Sequence, residues 1–215
     1  MHPAIIPEAN IDTMQKRLLL GDDHPMIRKG LRVLFDYHFE NIEIREACSC
    51  TEIMGELSHS HYSHLLLDVV LPDGTILEIL PNIVSLYPWV KISIFSMQPA
   101  EIYKRILQKY GVHYYISKTL VEDAIVALLG KFLNDVCPPR EEAFPPMSDN
   151  PFSLLTAREL EILHYILKGM GSNEIGNILN IKYNTVSTVR SSIYEKSRAG
   201  NISELFELAS RHNVN

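Results

Sequence analysis

The chain has 215 residues, of which 46% are hydrophobic and 21% are charged, so its length allows one large domain or two ordinary ones. It contains no apolar run of the roughly 18 residues that a membrane span needs. Its N-terminus lacks the basic and apolar regions of a secretory signal, and its three cysteines are too few for a disulfide framework. We therefore expect a cytoplasmic protein that does not associate with a membrane.

The net charge of −6 is unevenly distributed along the chain. Residues 1–150 hold 13 basic and 20 acidic residues, whereas residues 151–215 hold 7 basic and 6 acidic ones. Within residues 181–200 the basic residues outnumber the single acidic residue, Glu195. An acidic front and a slightly basic back indicate two parts with different tasks.

A proline-rich segment divides these two parts. Residues 135–150 read DVCPPREEAFPPMSDN and Pro151 follows, a composition that neither a helix nor a central strand tolerates. We interpret residues 135–151 as a linker stiffened by polyproline segments. It would be preceded by a flexible extension (1–15) and a first domain (16–134), and followed by a second domain (152–215).

The first domain alternates short apolar segments with longer segments whose apolar residues recur about every 3.6 positions. The short segments predict five strands, at Arg17–Gly21, Ile42–Ala47, His64–Asp68, Lys91–Phe95 and Tyr114–Ile116. The longer segments predict five helices, at Pro25–His38, Thr51–Leu57, Thr75–Tyr87, Ala100–Tyr110 and Val121–Leu133. Five consecutive βα units predict an α/β domain whose parallel sheet has helices on both faces.

The second domain shows no strand pattern. Its four periodic segments predict helices at Ser153–Lys168, Ser172–Leu179, Tyr183–Lys196 and Asn201–Arg211. Thr156 and Glu159 have the spacing of a capping box near the start of the first of these helices. The connections are short, which predicts a compact all-α four-helix domain.

Carboxylates follow two strands that are neighbours in a flavodoxin-like strand order. Asp22 and Asp23 follow the first predicted strand and Asp68 ends the third, so all three should meet at the carboxyl-terminal edge of the sheet. Like charges this close repel unless a cation lies between them, and oxygen ligands favour Mg²⁺. Asp22 and Asp23 alone would more simply cap the next helix, but the addition of Asp68 favours a metal site.

A hydroxyl and an ammonium follow the fourth and fifth predicted strands, at Ser96 and Lys118. At the same sheet edge, a hydroxyl can donate a hydrogen bond to a phosphoryl oxygen and an ammonium can balance its charge. Each residue is ordinary when taken alone. The complete set, with one functional group after each of four strands, predicts phosphate chemistry.

Four segments resemble the receiver domain of two-component response regulators, namely DDHP at 22–25, LLLDVVLPDG at 65–74, IFSM at 94–97 and YISK at 115–118. The resemblance covers about residues 16–135. It implies a flavodoxin-like (CheY-like) five-stranded parallel receiver sheet, in which Asp68 accepts a phosphoryl group from a sensor histidine kinase. It also implies that Asp22, Asp23, Asp68 and the backbone carbonyl of Val70 hold Mg²⁺, that Ser96 and Lys118 contact the phosphoryl group, that Tyr115 is a switch residue and that Pro72 shapes the loop after Asp68.

The second domain resembles the LuxR-type helix-turn-helix of NarL/FixJ response regulators, and is especially similar to their BvgA- and EvgA-like members. The similar segments are LLTARELEILHYILKG at 154–169 and NTVSTVRSSIYEKS at 184–197. The resemblance implies that the predicted helix Tyr183–Lys196 enters the major groove of double-stranded DNA. We expect phosphate contacts from Lys182, Thr185, Arg190 and Lys196, and base-edge contacts from Asn184, Ser187 and Thr188.

Together these patterns predict a DNA-binding response regulator rather than an enzyme. One domain with about four phosphate contacts binds DNA poorly at cellular salt, so we expect a homodimer on DNA. Two other interpretations stay open here. One is a pseudo-receiver whose helical domain binds DNA or protein regardless of phosphorylation, and the other is a Mg²⁺-dependent phosphatase with Asp68 as nucleophile. A helical interaction module that has lost DNA binding is a minor further alternative.

Overall fold

The computed structural model describes residues 15–112, 114–134, 136 and 150–214. The predicted N-terminal extension, apart from Gln15, lies outside the described residues. So does the predicted linker, apart from Val136, Asn150 and Pro151.

The first domain alternates strands and helices as predicted. Its strands are β1 (Lys16–Gly21), β2 (Ile42–Ala47), β3 (His64–Leu67), β4 (Val70–Leu71), β5 (Gly74–Thr75), β6 (Lys91–Ser96) and β7 (Tyr114–Ser117). Its helices are α1 (Pro25–His38), α2 (Cys50–His59), α3 (Ile76–Leu86), α4 (Ala100–Lys109) and α5 (Glu122–Leu133). Most bounds agree with the predicted ones to within two residues.

Five of these strands form one parallel sheet in the order β2-β1-β3-β6-β7. This order confirms the flavodoxin-like fold. The strands β4 and β5 form a separate antiparallel hairpin directly after Asp68. The hairpin was not predicted from the sequence, because each strand is only two residues long and because Pro72 and Asp73 between them are typical turn residues.

Alternating side chains of the sheet fill two hydrophobic cores. Leu19 points to the core that α2, α3 and α4 cover, whereas Leu18 and Leu20 point to the core that α1 and α5 cover. Both faces of the sheet are therefore apolar and closed to water. Polar groups that act together can meet only at the ends of the strands.

The second domain is helical throughout the described residues. A 3-10 helix (Pro151–Leu154) precedes α6 (Ala157–Leu167), α7 (Ser172–Ile178), α8 (Tyr183–Ser197) and α9 (Ile202–Arg211). The four-helix prediction is confirmed, but the predicted start of the first helix at Ser153 is wrong. Leu155 is extended and Thr156 caps α6 together with Glu159, so the capping box sets the true start. Among the described residues, none of the helices combines the length and apolar character that crossing a membrane would need.

The two domains are in contact with each other. The 3-10 helix packs against α4, and α6 packs against α3. The Tyr165 hydroxyl of α6 donates a hydrogen bond to Glu78 Oε1 of α3, at 3.4 Å. Burial raises the pKa of Glu78 above its usual value, although a hydrogen bond from the Thr75 backbone acts against it. The second domain therefore lies on the same side of the sheet as α3 and α4.

Candidate functional site

The predicted carboxylates do meet at the carboxyl-terminal edge of the sheet. Gly21 of β1 pairs with Leu67 of β3, so the next residues, Asp22 and Asp68, are adjacent. The backbone N–H of Asp68 donates to the Gly21 carbonyl at 2.7 Å. Asp22 is 1% exposed and Asp68 is 6% exposed, whereas Asp23 is more accessible to solvent. Two of the three carboxylates are therefore buried side by side.

Lys118 lies between these two buried carboxylates. Its Nζ is 2.6 Å from Asp22 Oδ2 and 2.5 Å from Asp68 Oδ2. The backbone N–H of Lys118 donates to the Ser96 carbonyl at 3.0 Å. The hydrogen bonding between β6 and β7 therefore extends to Lys118 and fixes its backbone beside the carboxylates. The ammonium removes much of the repulsion that two neighbouring carboxylates would otherwise have.

Ser96 holds the other oxygen of Asp68. Its Oγ donates to Asp68 Oδ1 at 2.5 Å, and the backbone N–H of Val69 donates to the same oxygen at 2.7 Å. The Asp68 carboxylate is thus held on both oxygens, by a hydroxyl, an ammonium and a backbone amide. The structure brings together Asp68, Asp22, Lys118 and Ser96 as the sequence analysis expects.

Tyr115 of β7 lies beside this pocket with a buried ring. Its hydroxyl donates to the Gln98 carbonyl at 2.7 Å. Burial, with a smaller contribution from nearby Tyr103, raises the pKa of Tyr115 well above its usual value. The Tyr115 ring is thus buried in the same structure in which the Ser96 hydroxyl donates a hydrogen bond to Asp68.

The hairpin after Asp68 is fixed by a residue that the sequence analysis did not single out. Pro72 and Asp73 form its turn, and the Asp73 carboxylate accepts hydrogen bonds from the backbone N–H groups of Cys50 and Thr51, at 2.8 and 2.9 Å. Asp73 thereby caps α2 and ties the hairpin to it. The signal in the sequence was Asp73-Gly74 directly after a proline, which is a turn pattern.

His24 is the second residue of the site without a predicted role. Its backbone N–H donates to Asp22 Oδ1 at 2.9 Å, and its Nδ1 is 2.7 Å from Asp23 Oδ1. One potential ligand atom from each of Asp22, Asp23, His24 and Asp68 lies within 4.8 Å of the others. Three carboxylates in such a cluster fit a hard divalent cation such as Mg²⁺. The predicted contribution of the Val70 carbonyl stays a prediction.

The predicted DNA-contact residues at the start of α8 are exposed on one surface. Lys182, Asn184, Thr185, Ser187 and Thr188 are all accessible to solvent. Thr188 donates its hydroxyl back to the Asn184 carbonyl at 2.9 Å, and Val186 and Ile193 are buried against the rest of the domain. Tyr183, the first residue of α8, is 53% exposed on this surface, and it carries an aromatic ring to which the sequence analysis assigned no contact.

The two remaining predicted contacts are already engaged within the domain. The Arg190 guanidinium donates to the Tyr194 hydroxyl at 3.2 Å. The Lys196 ammonium is 2.7 Å from both carboxylate oxygens of Glu159. Burial alone would raise the pKa of Glu159, but hydrogen bonds from Lys196, Ser192 and Thr156 outweigh it and lower the pKa to about 2. A DNA phosphate would have to compete with Glu159 for Lys196.

Comparisons with known proteins match both domains. The family model of the response regulator receiver domain matches residues 18–130, and that of the bacterial regulatory proteins of the luxR family matches residues 153–209. The oxygen regulatory protein NreC of Staphylococcus carnosus is 24% identical over 213 residues, which cover 90% of this chain and 96% of NreC. The virulence-factor positive transcription regulator BvgA of Bordetella pertussis is 25% identical over 211 residues, covering 94% and 100% of the two chains.

Solved structures of RcsB from Salmonella share the whole architecture. One RcsB structure superposes with a TM-score of 0.77 at 20% identity and covers 93% of this chain and 99% of RcsB. A second, of RcsB bound to the promoter rprA with a phosphomimetic, superposes with a TM-score of 0.73 at 18% identity, covering 92% and 99%. These likenesses confirm the predicted fold of a CheY-like receiver sheet followed by a helical helix-turn-helix domain.

Proposed function

Because the chain belongs to the DNA-binding response regulators, with a receiver domain and a LuxR-type domain, we propose that Asp68 is its phosphoacceptor and a sensor histidine kinase its phosphodonor. The observation that carries this proposal is the buried Asp68 carboxylate, held by Lys118 and Ser96 at 2.5 Å each. A carboxylate held by a cation and a hydroxyl is oriented as a nucleophile rather than as a base.

The proposed step is an in-line transfer of one phosphoryl group. An Asp68 oxygen forms a bond to phosphorus while the bond between phosphorus and the kinase histidine nitrogen breaks, and that nitrogen keeps the electron pair. The Lys118 ammonium and the Ser96 hydroxyl lie beside the attacking carboxylate, where they can follow the phosphoryl oxygens. The phosphoryl group of the product carries about two negative charges, where the free Asp68 carboxylate carried one.

Asp22, Asp23 and Asp68, with the carbonyl of Val70, would hold Mg²⁺ in this proposal. When bound, the ion would neutralise the carboxylates and the phosphoryl oxygens. Pro72 would shape the loop that carries Val70. Tyr115, which is already buried beside Ser96, would report the state of the pocket to α4, because its hydroxyl binds the Gln98 carbonyl just before that helix.

An exposed apolar surface on α1 supports a protein as the phosphodonor. Met26, Val33 and Tyr37 of α1 are 76%, 69% and 83% exposed. This helix begins only two residues after Asp22 and Asp23. Side chains of this kind normally pack, and a group of them on a monomer indicates contact with another protein. A kinase bound there would bring its phosphohistidine close to Asp68.

The helical domain would act on double-stranded DNA through the exposed start of α8. Lys182, Thr185, Arg190 and Lys196 would contact phosphates, and Asn184, Ser187 and Thr188 would contact base edges. The relative BvgA is named as a transcription regulator of virulence factors, and RcsB has been solved as dimers on DNA. We infer that this chain likewise binds DNA as a homodimer in the cytoplasm, with a receiver domain (16–134), a linker (135–151) and a DNA-binding domain (152–215).

Phosphorylation of the full chain tests the proposal. Incubation with acetyl phosphate and Mg²⁺ should add the mass of one phosphoryl group in an acid-labile form, measured on the intact protein. Asp68→Asn should abolish the gain, whereas Asp36→Asn, an exposed aspartate of α1, should keep it. No gain in the natural chain, or a gain that survives Asp68→Asn, would overturn the assignment. Steady turnover of a chromogenic phosphate ester would instead favour a phosphatase.

DNA binding completes this test. Duplexes selected from a random-sequence pool by the beryllofluoride-loaded protein should bind the phosphorylated chain about 10-fold more tightly than the unphosphorylated chain. Equal affinity of the two states would favour the pseudo-receiver interpretation. The Asp68→Asn protein should behave as the unphosphorylated chain does.

A further inference from the structure

A cavity of about 630 Å³ lies between the two domains and opens onto the phosphoacceptor site. Its receiver wall includes Asp68 and Ser96, and its opposite wall belongs to the helical domain. That opposite wall carries Lys168 from the end of α6 and Phe206 and Val214 from α9 and the residues after it. The pocket around Asp68 is thus built by both domains.

Two contacts hold the helical domain against the receiver domain. The 3-10 helix packs against α4, and α6 packs against α3 through the hydrogen bond between Tyr165 and Glu78. A cavity of this volume accepts a small phosphorylated molecule, since small-molecule sites have about 300 to 1,000 Å³. It is too small for a folded kinase domain.

Asp23, His24 and Asp68 line the receiver wall of the cavity, and Lys168 lines its helical wall. The Lys118 ammonium does not line the cavity and is committed to Asp22 and Asp68. The Lys168 side chain is exposed and makes no hydrogen bond or ion pair to any residue that the structure describes. It is therefore an available cation on the wall that faces the phosphoacceptor.

We propose that the helical domain forms the second wall of a binding site for small acyl phosphates, and that Lys168 is the positioning residue that attracts their phosphoryl group. The inference rests on the proposed role of Asp68. An Asp68 oxygen forms the new bond to phosphorus, the bond from phosphorus to the acyl oxygen breaks, and the carboxylate leaves with the electron pair. No proton has to move in this step. Lys168 acts before it, by raising the local concentration of the dianionic donor.

The expected effect of Lys168 on the rate of phosphorylation follows from its exposure to solvent. An exposed ammonium stabilises a nearby anion only modestly, so Lys168→Ala should lower the second-order rate constant of phosphorylation about 3-fold to 5-fold at low salt. Lys168→Glu should lower it further, and Lys168→Arg should restore it, because the charge is what matters. The difference between the natural chain and Lys168→Ala should shrink as salt is added.

The experiment follows phosphorylation of the full chain by acetyl phosphate, with the fraction of phosphorylated protein measured by intact mass over time. Lys109→Ala is the matched control, because Lys109 is exposed at the end of α4 and does not line the cavity. The Lys168 variants should unfold in urea as the natural chain does, which separates a positioning role from a structural one.

The outcomes distinguish this inference from the proposal on which it rests. If the natural chain gains no phosphoryl group at Asp68, the proposed function itself fails. If it does gain one, equal rates for the natural chain and Lys168→Ala at every salt concentration overturn the role of Lys168. The role of Lys168 is also overturned if Lys109→Ala slows phosphorylation as much as Lys168→Ala does. A slow Lys168→Ala that Lys168→Arg rescues supports the two-domain pocket.

Discussion

The pocket around Asp68 and the exposed start of α8 use charge in opposite ways. In the pocket, Asp22, Asp68 and Lys118 are nearly inaccessible to water and pair with one another at 2.5 to 2.6 Å. At the start of α8, Lys182 and its polar neighbours are exposed. Buried charges are costly unless they are paired, so the folded structure fixes their geometry. Exposed side chains have no such constraint and stay available for a partner.

This difference separates two kinds of mutational effect. A change in the pocket should alter the free energy of unfolding, because it leaves a buried charge without its partner. A change on the exposed surface should alter DNA binding and leave stability nearly unchanged. The pair of Lys196 with Glu159 combines both features, since Glu159 is buried and Lys196 is one of the proposed DNA contacts.

The largest effect is expected from Lys118→Met. Without the ammonium, Asp22 and Asp68 face each other as buried like charges, so the free energy of unfolding should fall by about 3 kcal/mol in the presence of EDTA. Excess Mg²⁺ should restore part of this loss, because a cation can then separate the carboxylates. Urea unfolding followed by the fluorescence of Trp89, the single tryptophan of the chain, measures the effect in the receiver domain.

The exposed Lys109 provides the matched control for this experiment. Lys109→Met should change the free energy of unfolding by less than about 0.5 kcal/mol. If Lys118→Met were as stable as Lys109→Met in EDTA, the pairing in the pocket would not matter for stability. An identical loss in EDTA and in Mg²⁺ would contradict the proposed metal site.

An intermediate effect is expected from Glu159→Gln. The folded pKa of Glu159, about 2, lies below its ordinary value of 4.5, so ionised Glu159 stabilises the folded state above about pH 4.5. That contribution is lost as the pH falls from 4.5 toward 2. Glu159→Gln should therefore cost about 2 kcal/mol at pH 6, an amount reduced by the partial exposure of Lys196. Below about pH 3 most of the difference should disappear.

Circular dichroism of urea unfolding at several pH values measures this dependence. Glu207→Gln is the control, because Glu207 forms an ion pair with Arg211 but is 70% exposed, and it should show a difference of less than about 0.5 kcal/mol at every pH. A loss for Glu159→Gln that is the same at pH 6 and pH 2.5 would show that the charge of Glu159 is not the cause.

The contrast between buried and exposed charge also explains what the sequence could reveal. The strand order, the strand ends and the meeting of Asp22, Asp68, Ser96 and Lys118 were predictable, because parallel strands bring their carboxyl ends to one edge. The role of Asp73 was not, since it depends on the hairpin folding back onto α2. The pairing of Lys196 with Glu159 was equally hidden, because the two residues lie 37 positions apart on different helices.

The contact between the domains was outside the reach of sequence patterns altogether. Tyr165 and Glu78 lie 87 positions apart, and neither belongs to a motif that indicates a partner. The linker that joins the domains fixes how far apart they can lie, but not which faces meet. The cavity over Asp68 follows from that choice of faces, so only a three-dimensional structure could reveal that Lys168 and Asp68 line the same cavity.

The smallest expected effect tests the exposed surface itself. Lys182→Ala should weaken binding to a random-sequence duplex about 5-fold and lower the dependence of log Kd on log salt by about 0.9 for each lost phosphate contact. Fluorescence anisotropy over a series of salt concentrations measures both quantities. The free energy of unfolding of Lys182→Ala should stay within about 0.5 kcal/mol of that of the natural chain. Lys196→Ala should lose stability in the same comparison, since it leaves the buried Glu159 without its ion-pair partner. If Lys182→Ala lost stability but kept its salt dependence, Lys182 would be a structural residue and the start of α8 would not be the DNA-contact surface.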